Sequence, residues 1–120
     1  MINKRDIVVF VSGAYTAVTE FEKGINIAKA TAMAIRLWNL GYSPFCPHSN
    51  SANFEFFCKE CDYDGFLAGC ITMLKRCDCV LLLDNWKQSK GANAEMQVAL
   101  NQSIPIFESI ESLERFYNGR

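Results

Sequence analysis

Ile7-Val8-Val9-Phe10-Val11 and Val80-Leu81-Leu82-Leu83 are unbroken apolar runs, without the in-and-out alternation of a strand that has one wet face. A strand apolar at every position needs cover on both sides, which a parallel sheet between two helix layers provides. Between these runs the hydrophobic period lengthens. Glu20 to Leu40 sets Ile25, Ala28, Ala32, Ile35 and Trp38/Leu40 at helical spacing, and Gly41 follows as a C-cap. Tyr42-Ser43-Pro44-Phe45 is a short strand, which Pro44 confines to a sheet edge or a strand start. A polar segment, Pro47 to Asn53, comes next. Phe54 to Arg76 is helical but interrupted at Gly65 and Gly69, with Phe66, Cys70, Met73, Leu74 and Cys77 as its apolar stripe. After the loop Asp84 to Lys90 come a helix from Gly91 to Asn101 and a strand from Ile104 to Phe107. A closing helix follows from Ser109 to Tyr117, with Ser109 as N-cap. Four strand-helix units predict an α/β three-layer sandwich with a mostly parallel four- or five-stranded sheet, Rossmann-like in the flavodoxin manner. At 120 residues, half of them hydrophobic, the chain is expected to form a single domain over 1–120.

Charge and cysteine usage narrow the function classes. Twelve basic residues against thirteen acidic ones give a net charge of −1, and no lysine-arginine block offers a nucleic-acid footprint. The first apolar run, Ile7 to Val11, is too short for a signal core or a membrane span, so a soluble, cytoplasmic protein is expected. Of the six cysteines, Cys79 lies inside a strand and Cys70 and Cys77 lie on or beside an apolar helix, which suits packing thiols better than a disulfide framework. Cys46, His48, Cys58 and Cys61 read C-x-H followed by C-x2-C, a set that zinc can take tetrahedrally. Helical cysteines among Phe54, Phe56 and Phe57 are more often packing or interface residues. Neither a resident metal nor a cofactor is expected, and zinc would in any case take His48 away from a ligand.

In an open parallel sheet the ligand crevice lies beyond the carboxyl ends of the strands. Three loops meet that condition: Ser12 to Thr16, Pro47 to Asn53 and Asp84 to Gly91. They carry hydroxyls, amides, glycines, the imidazole of His48 and the indole of Trp86. Glu95 falls in the second turn of the helix that follows, where 92, 95, 96 and 99 form one stripe, so it can reach the pocket from the edge of the buried face. The competing reading is a surface glutamate that favours the helix dipole. Ser12-Gly13 can present amides to a phosphate or a ribose hydroxyl, although G-x-G-x-x-G is absent. Ser89-Lys90-Gly91-Ala92 joins a hydroxyl, a positive charge and helix-start amides, which suits either a monophosphate cradle or a capped helix start.

Taken together, Val9-Phe10-Val11-Ser12-Gly13-Ala14-Tyr15-Thr16, Pro47-His48-Ser49-Asn50, Cys77 to Leu83 and Trp86 to Glu95 resemble the nucleoside 2-deoxyribosyltransferase superfamily. Within it they are closest to a compact, largely phage and bacterial branch and to the deoxynucleoside monophosphate N-glycosidases. The blocks run in order over positions 7 to 107. The resemblance implies cleavage of an N-glycosidic bond, by hydrolysis or transfer, with Glu95 as a nucleophile forming a glycosyl ester. It also implies that Tyr15 orients Glu95 through its hydroxyl. Ser89, six positions before the glutamate, matches a serine that holds a 5′-phosphate, and Lys90 supports it. His48, Asn53, Trp86, Ser12, Gly13 and Gly91 complete the substrate-binding set. One departure stands out: the family's base-side aspartate falls on Cys70, which leaves Asp64 or Asp62, or otherwise His48 or solvent, to protonate the leaving base. The rival readings are a nucleotide-sensing module without turnover and a small zinc-stabilised structural or interaction protein. Phe54, Phe56, Phe57, Tyr63 and Phe66 exceed what one small segment buries, and together with the resemblance they predict a homodimer or larger homo-oligomer.

Overall fold

The computed structural model describes residues 2–119. Four strands, β1 (Val8–Ser12), β2 (Ser43–Phe45), β3 (Cys79–Leu82) and β4 (Ile106–Phe107), form one parallel sheet in the order β2-β1-β3-β4. The helices are α1 (Glu20–Asn39), α2 (Pro47–Asn50), α3 (Tyr63–Leu74), α4 (Lys90–Asn101) and α5 (Ile110–Asn118). Pro44 lies on the edge strand β2, where its missing N–H removes no interior ladder bond.

The two-residue period of the strands sorts the core into two halves. Val9, Val11, Cys79, Leu81 and Phe107 face one side and pack with Ala30, Ala34 and Leu37 of α1 and with Ile110 and Leu113 of α5. Phe10, Val80, Leu82 and Ile106 face the other, against Leu74 and Cys70 of α3 and Met96 and Ala99 of α4. These are the expected three layers, and every strand that was apolar throughout is covered twice.

Three local expectations are corrected. Helix α1 is rotated from the predicted stripe: Lys23, Ala30, Ala34 and Leu37 are buried, whereas Ile25, Ile35 and Trp38 are exposed. Alanines at the contact let the helix approach the sheet closely, and Trp38 instead lies under the Arg5 guanidinium at 5.1 Å. The helix predicted from Phe54 to Arg76 begins only at Tyr63. Asn53 adopts a left-handed conformation with φ of 64°, a single 3-10 turn spans Phe54–Phe56, and Asp62 caps the new start by accepting the Gly65 N–H at 2.8 Å. Gly65 and Gly69, read as interruptions, lie within α3. Finally, Pro47–Asn50 is a one-turn helix, opened by Pro47 in its first turn, where a polar loop was expected.

Candidate active site

The order β2-β1-β3-β4 places a topological switch point between β1 and β3, because the chain leaves β1 toward β2 and leaves β3 toward β4. Loops diverge at such a point and open a crevice beyond the strands' carboxyl ends. A cavity of about 270 Å³ lies there, lined by Gly13 and Tyr15 after β1, His48 and Ser51 after β2, and Ser89, Gly91 and Glu95 after β3. Tyr63, Phe66, Leu67 and Cys70 of α3 form an apolar wall, and Glu55 joins from the 3-10 turn.

Strand alternation explains the floor. Ser12 continues the series of Phe10 toward the α3/α4 layer, and α4 presents Ala92, Glu95 and Ala99 as its buried residues. The two series meet where the Ser12 hydroxyl donates to Glu95 Oε1 at 2.8 Å. Glu95 is only 8 % exposed. Burial pushes its carboxyl up to about 7, with the Ser12 hydrogen bond acting in the opposite direction. Glu95 is therefore a carboxylate near its protonation midpoint at neutral pH, held by one donor and facing a cavity.

The sequence marks Ser12 as a backbone-amide candidate and Tyr15 as the hydroxyl on Glu95; the roles are redistributed. Tyr15 lies beyond the strand end, where its hydroxyl accepts the Asn53 N–H at 2.9 Å and lies 3.1 Å from both oxygens of Glu55, to which it donates. Asn53 thus acts through its backbone and is otherwise exposed. His48 Nε2 donates to the Ala14 carbonyl at 2.8 Å, and its ring meets Tyr15 edge-on at 5.7 Å. Burial pushes the His48 pKa down more than the backbone hydrogen bonds to Ala14 and Gly13 raise it. Its Nδ1 is a buried acceptor with no hydrogen-bond partner among the described residues.

At the start of α4, the Ser89 hydroxyl accepts the Ala92 N–H at 3.0 Å, so the serine caps the helix, and it also lines the cavity. The amides of Lys90 and Gly91 belong to the same first turn, which carries the positive end of the helix dipole. Lys90 itself is exposed and outside the cavity lining. Trp86 is also outside it: its indole N–H donates to Glu108 at 3.3 Å, and its ring packs with the Phe10 cluster.

Asp64 does not line the cavity but stands exposed in the first turn of α3. Cys70 does line it, and burial, with the Glu95 charge second, pushes its thiol up to about 11. The zinc set is not assembled. Cys46 packs into the α1/α5 core, His48 turns to the Ala14 carbonyl, and Cys58 and Cys61 interact with one another. Among the described residues no group of three or more His, Cys, Asp or Glu is placed to hold a metal ion.

Glu55 is a polar cavity residue that no sequence pattern marks. Its neighbours are seen only once the chain folds: Lys23 reaches it from α1 at 3.1 Å, and Tyr15 from the loop after β1. The only sequence signal is a lone acid within the aromatic run Phe54-Glu55-Phe56-Phe57.

Among solved structures, the chain is similar to a 2-deoxyribosyltransferase from the psychrotolerant bacterium Bacillus psychrosaccharolyticus, with a TM-score of 0.57 and 14 % identity over 86 % of this chain and 75 % of that one. That likeness is one of fold. No curated protein matches the chain in sequence. No helix among the described residues is long and apolar enough to cross a membrane. Residues 7–108, which hold all four strands and every residue lining the cavity, match DUF4406, a domain of unknown function, and the chain belongs to that family.

Proposed function

We propose that this protein cleaves the N-glycosidic bond of a nucleoside 5′-monophosphate or deoxynucleoside, by hydrolysis or by transfer to a second base. The observation that carries the reading is the buried Glu95 carboxylate, held by Ser12 at the floor of a cavity that also contains the start of α4. The fold shared with a 2-deoxyribosyltransferase supports it.

Ionised Glu95 attacks the anomeric carbon while the bond to the base breaks and the base leaves with the electron pair. The sugar passes through a cationic state, which a carboxylate beneath it stabilises before the ester is complete. Water, or a second base, then attacks the same carbon, and Glu95 departs as a carboxylate with retained configuration. Ser12 keeps one oxygen fixed and leaves the other toward the cavity. Ser89, Lys90 and Gly91 offer a hydroxyl, a charge and amides to a 5′-phosphate. Gly13 shapes the floor: a Cβ there would stand 2.5 Å from Leu83 Cδ1.

Asp64 stands outside the cavity lining, whereas the Cys70 thiol belongs to it but is a weak donor. That arrangement favours a second reading, nucleotide binding without turnover. Incubation with a panel of nucleoside monophosphates, followed by chromatography for free base, separates the two. Release abolished in Glu95→Gln is expected; tight binding with no released base from any member defeats the enzymatic reading.

Val18 is 97 %, Phe57 82 % and Phe21 78 % exposed, and Phe54, Phe56 and Tyr63 also face solvent. Apolar exposure beside a binding cavity supports a homodimer or larger assembly. Sedimentation at micromolar concentration is expected to show at least a dimer, and a monomer would contradict it. Six free thiols fit a reducing, cytoplasmic setting.

A further inference from the structure

Glu55 lines the cavity, and the mechanism above gives it no task. Its carboxylate is fixed from two sides. Tyr15 donates to it, and Lys23 Nζ binds its Oε2 at 3.1 Å. Lys23 is itself immobilised: 6 % exposed, paired with Glu20 at 2.7 Å, and set over the Phe56 ring at 4.5 Å and the Tyr15 ring at 5.7 Å. Burial pushes the Glu55 carboxyl up, but its own backbone amide, the Lys23 ammonium and the Tyr15 hydroxyl outweigh that and hold it below the ordinary value. It is therefore ionised at neutral pH, a pure acceptor with up to four lone-pair sites against three donors, Tyr15, Lys23 and its own backbone amide, which leaves one site unused. The side chain remains 38 % exposed.

With a phosphate at the α4 start and the sugar over Glu95, the rest of the wall, which includes Tyr15, His48, Ser51, Glu55, Phe66 and Cys70, is left for the base. We propose that Glu55 reads that base and selects one with an exocyclic amino group, an aminopurine or aminopyrimidine, over its keto counterpart. The inference rests on the nucleotide reading of the cavity. An amino group offers a donor to the fixed carboxylate, whereas a keto oxygen in the same place sets lone pairs against it. A hydrogen bond to a charged group corresponds to roughly a tenfold to hundredfold preference.

The test is calorimetric titration of the full chain with two matched pairs, dCMP against dUMP and AMP against IMP, using Glu95→Gln where turnover interferes. The expected result is at least about tenfold tighter binding of the amino member in each pair. Glu55→Gln, whose amide can turn a donor toward a keto oxygen, is expected to collapse or invert the preference. Glu55→Asp, which keeps the charge, is expected to retain part of it and guards against a folding artefact in the first variant. Equal affinities within both pairs would overturn the selectivity and leave the nucleotide site standing. An amino preference unchanged in Glu55→Gln would overturn the assignment to Glu55. No binding of any of the four, with no base released, would overturn the nucleotide reading and this inference together.

Discussion

Replacing Glu95 by glutamine separates what its burial does to stability from what its charge does for chemistry. Its carboxyl is raised to about 7 from an ordinary 4.5, chiefly by burial. At about 1.4 kcal/mol per pH unit, the difference amounts to about 3 kcal/mol. Below pH 4.5 the group is protonated in both folded and unfolded chains and contributes nothing. Between 4.5 and 7 the unfolded chain has lost the proton while the folded chain keeps it, so stability falls as pH rises. Above 7 the folded chain holds a buried charge and the whole penalty is present. Glutamine has nearly the same shape, never ionises, and keeps an oxygen for the Ser12 hydroxyl. Glu95→Gln is therefore expected to match the wild type at pH 4.5 and to exceed it by about 3 kcal/mol at pH 8. For a chain of this size that is a rise in Tm of roughly 10 °C. Thermal melts of both proteins at pH 5, 6, 7 and 8 give the difference directly, and groups that titrate alike in the two proteins cancel. A difference that stays flat with pH, or a variant less stable at pH 8, refutes the burial argument. Base release should fall roughly 10⁴-fold in the same variant, because an amide is not a nucleophile at this step.

The remaining predictions concern the residues around that carboxylate. The acid limb of kcat/KM is expected near pH 7, with activity rising as Glu95 ionises; in Ser12→Ala the limb should move up by about one pH unit, since a hydrogen bond to a charged group has been lost. An unmoved limb would show that Ser12 does not act on the ionised form. Ser89→Asp keeps a good N-cap, so its Tm should hold, while the negative charge should weaken nucleoside monophosphate binding at least about tenfold relative to the nucleoside. Equal loss for both ligands would place the phosphate elsewhere. Gly13→Ala forces a Cβ to 2.5 Å from Leu83 Cδ1 and 2.9 Å from Asn85 Oδ1, and overpacking of that kind costs about 1–3 kcal/mol. A wild-type melting curve for that variant would mean that Leu83 and Asn85 yield freely.

How much of this was legible in the sequence depended on whether the cause was local. Continuous apolar runs name the parallel strands because double-sided cover is a property of each strand by itself, and Ser89 and Ser109 name helix starts because a cap involves only the next three residues. The face of α1 was misread for the opposite reason. Ile25, Ile35 and Trp38 are the larger apolar side chains, but the sheet accepts Ala30 and Ala34 because closeness of approach, not residue size, decides that contact. The late start of α3 was set by Asn53 in a left-handed turn and by Asp62 as a cap, neither of which disturbs the hydrophobic period that suggested one long helix.

The same distinction separates the parts of the site. Glu95 is legible because its stripe mates, Ala92 and Ala99, lie on its own helix and show which way that face turns. Its hydroxyl partner depends on register between elements. β1 pairs with β3 so that Ser12 lies beside Leu82, and this places the serine, on the strand face shared with Phe10, beneath α4. A shift of one residue in that strand would turn Ser12 to the α1/α5 side and leave Glu95 without its donor. Tyr15, three residues further on, is past the last paired position and is governed instead by Asn53 and Glu55 from the 3-10 turn and by Lys23 from α1. The support of Glu95 is therefore built into the sheet, whereas Glu55 is held by loop and helix-end contacts that can change without altering the sheet. A fold that divides its site in this way can keep one floor and vary the residues at the rim.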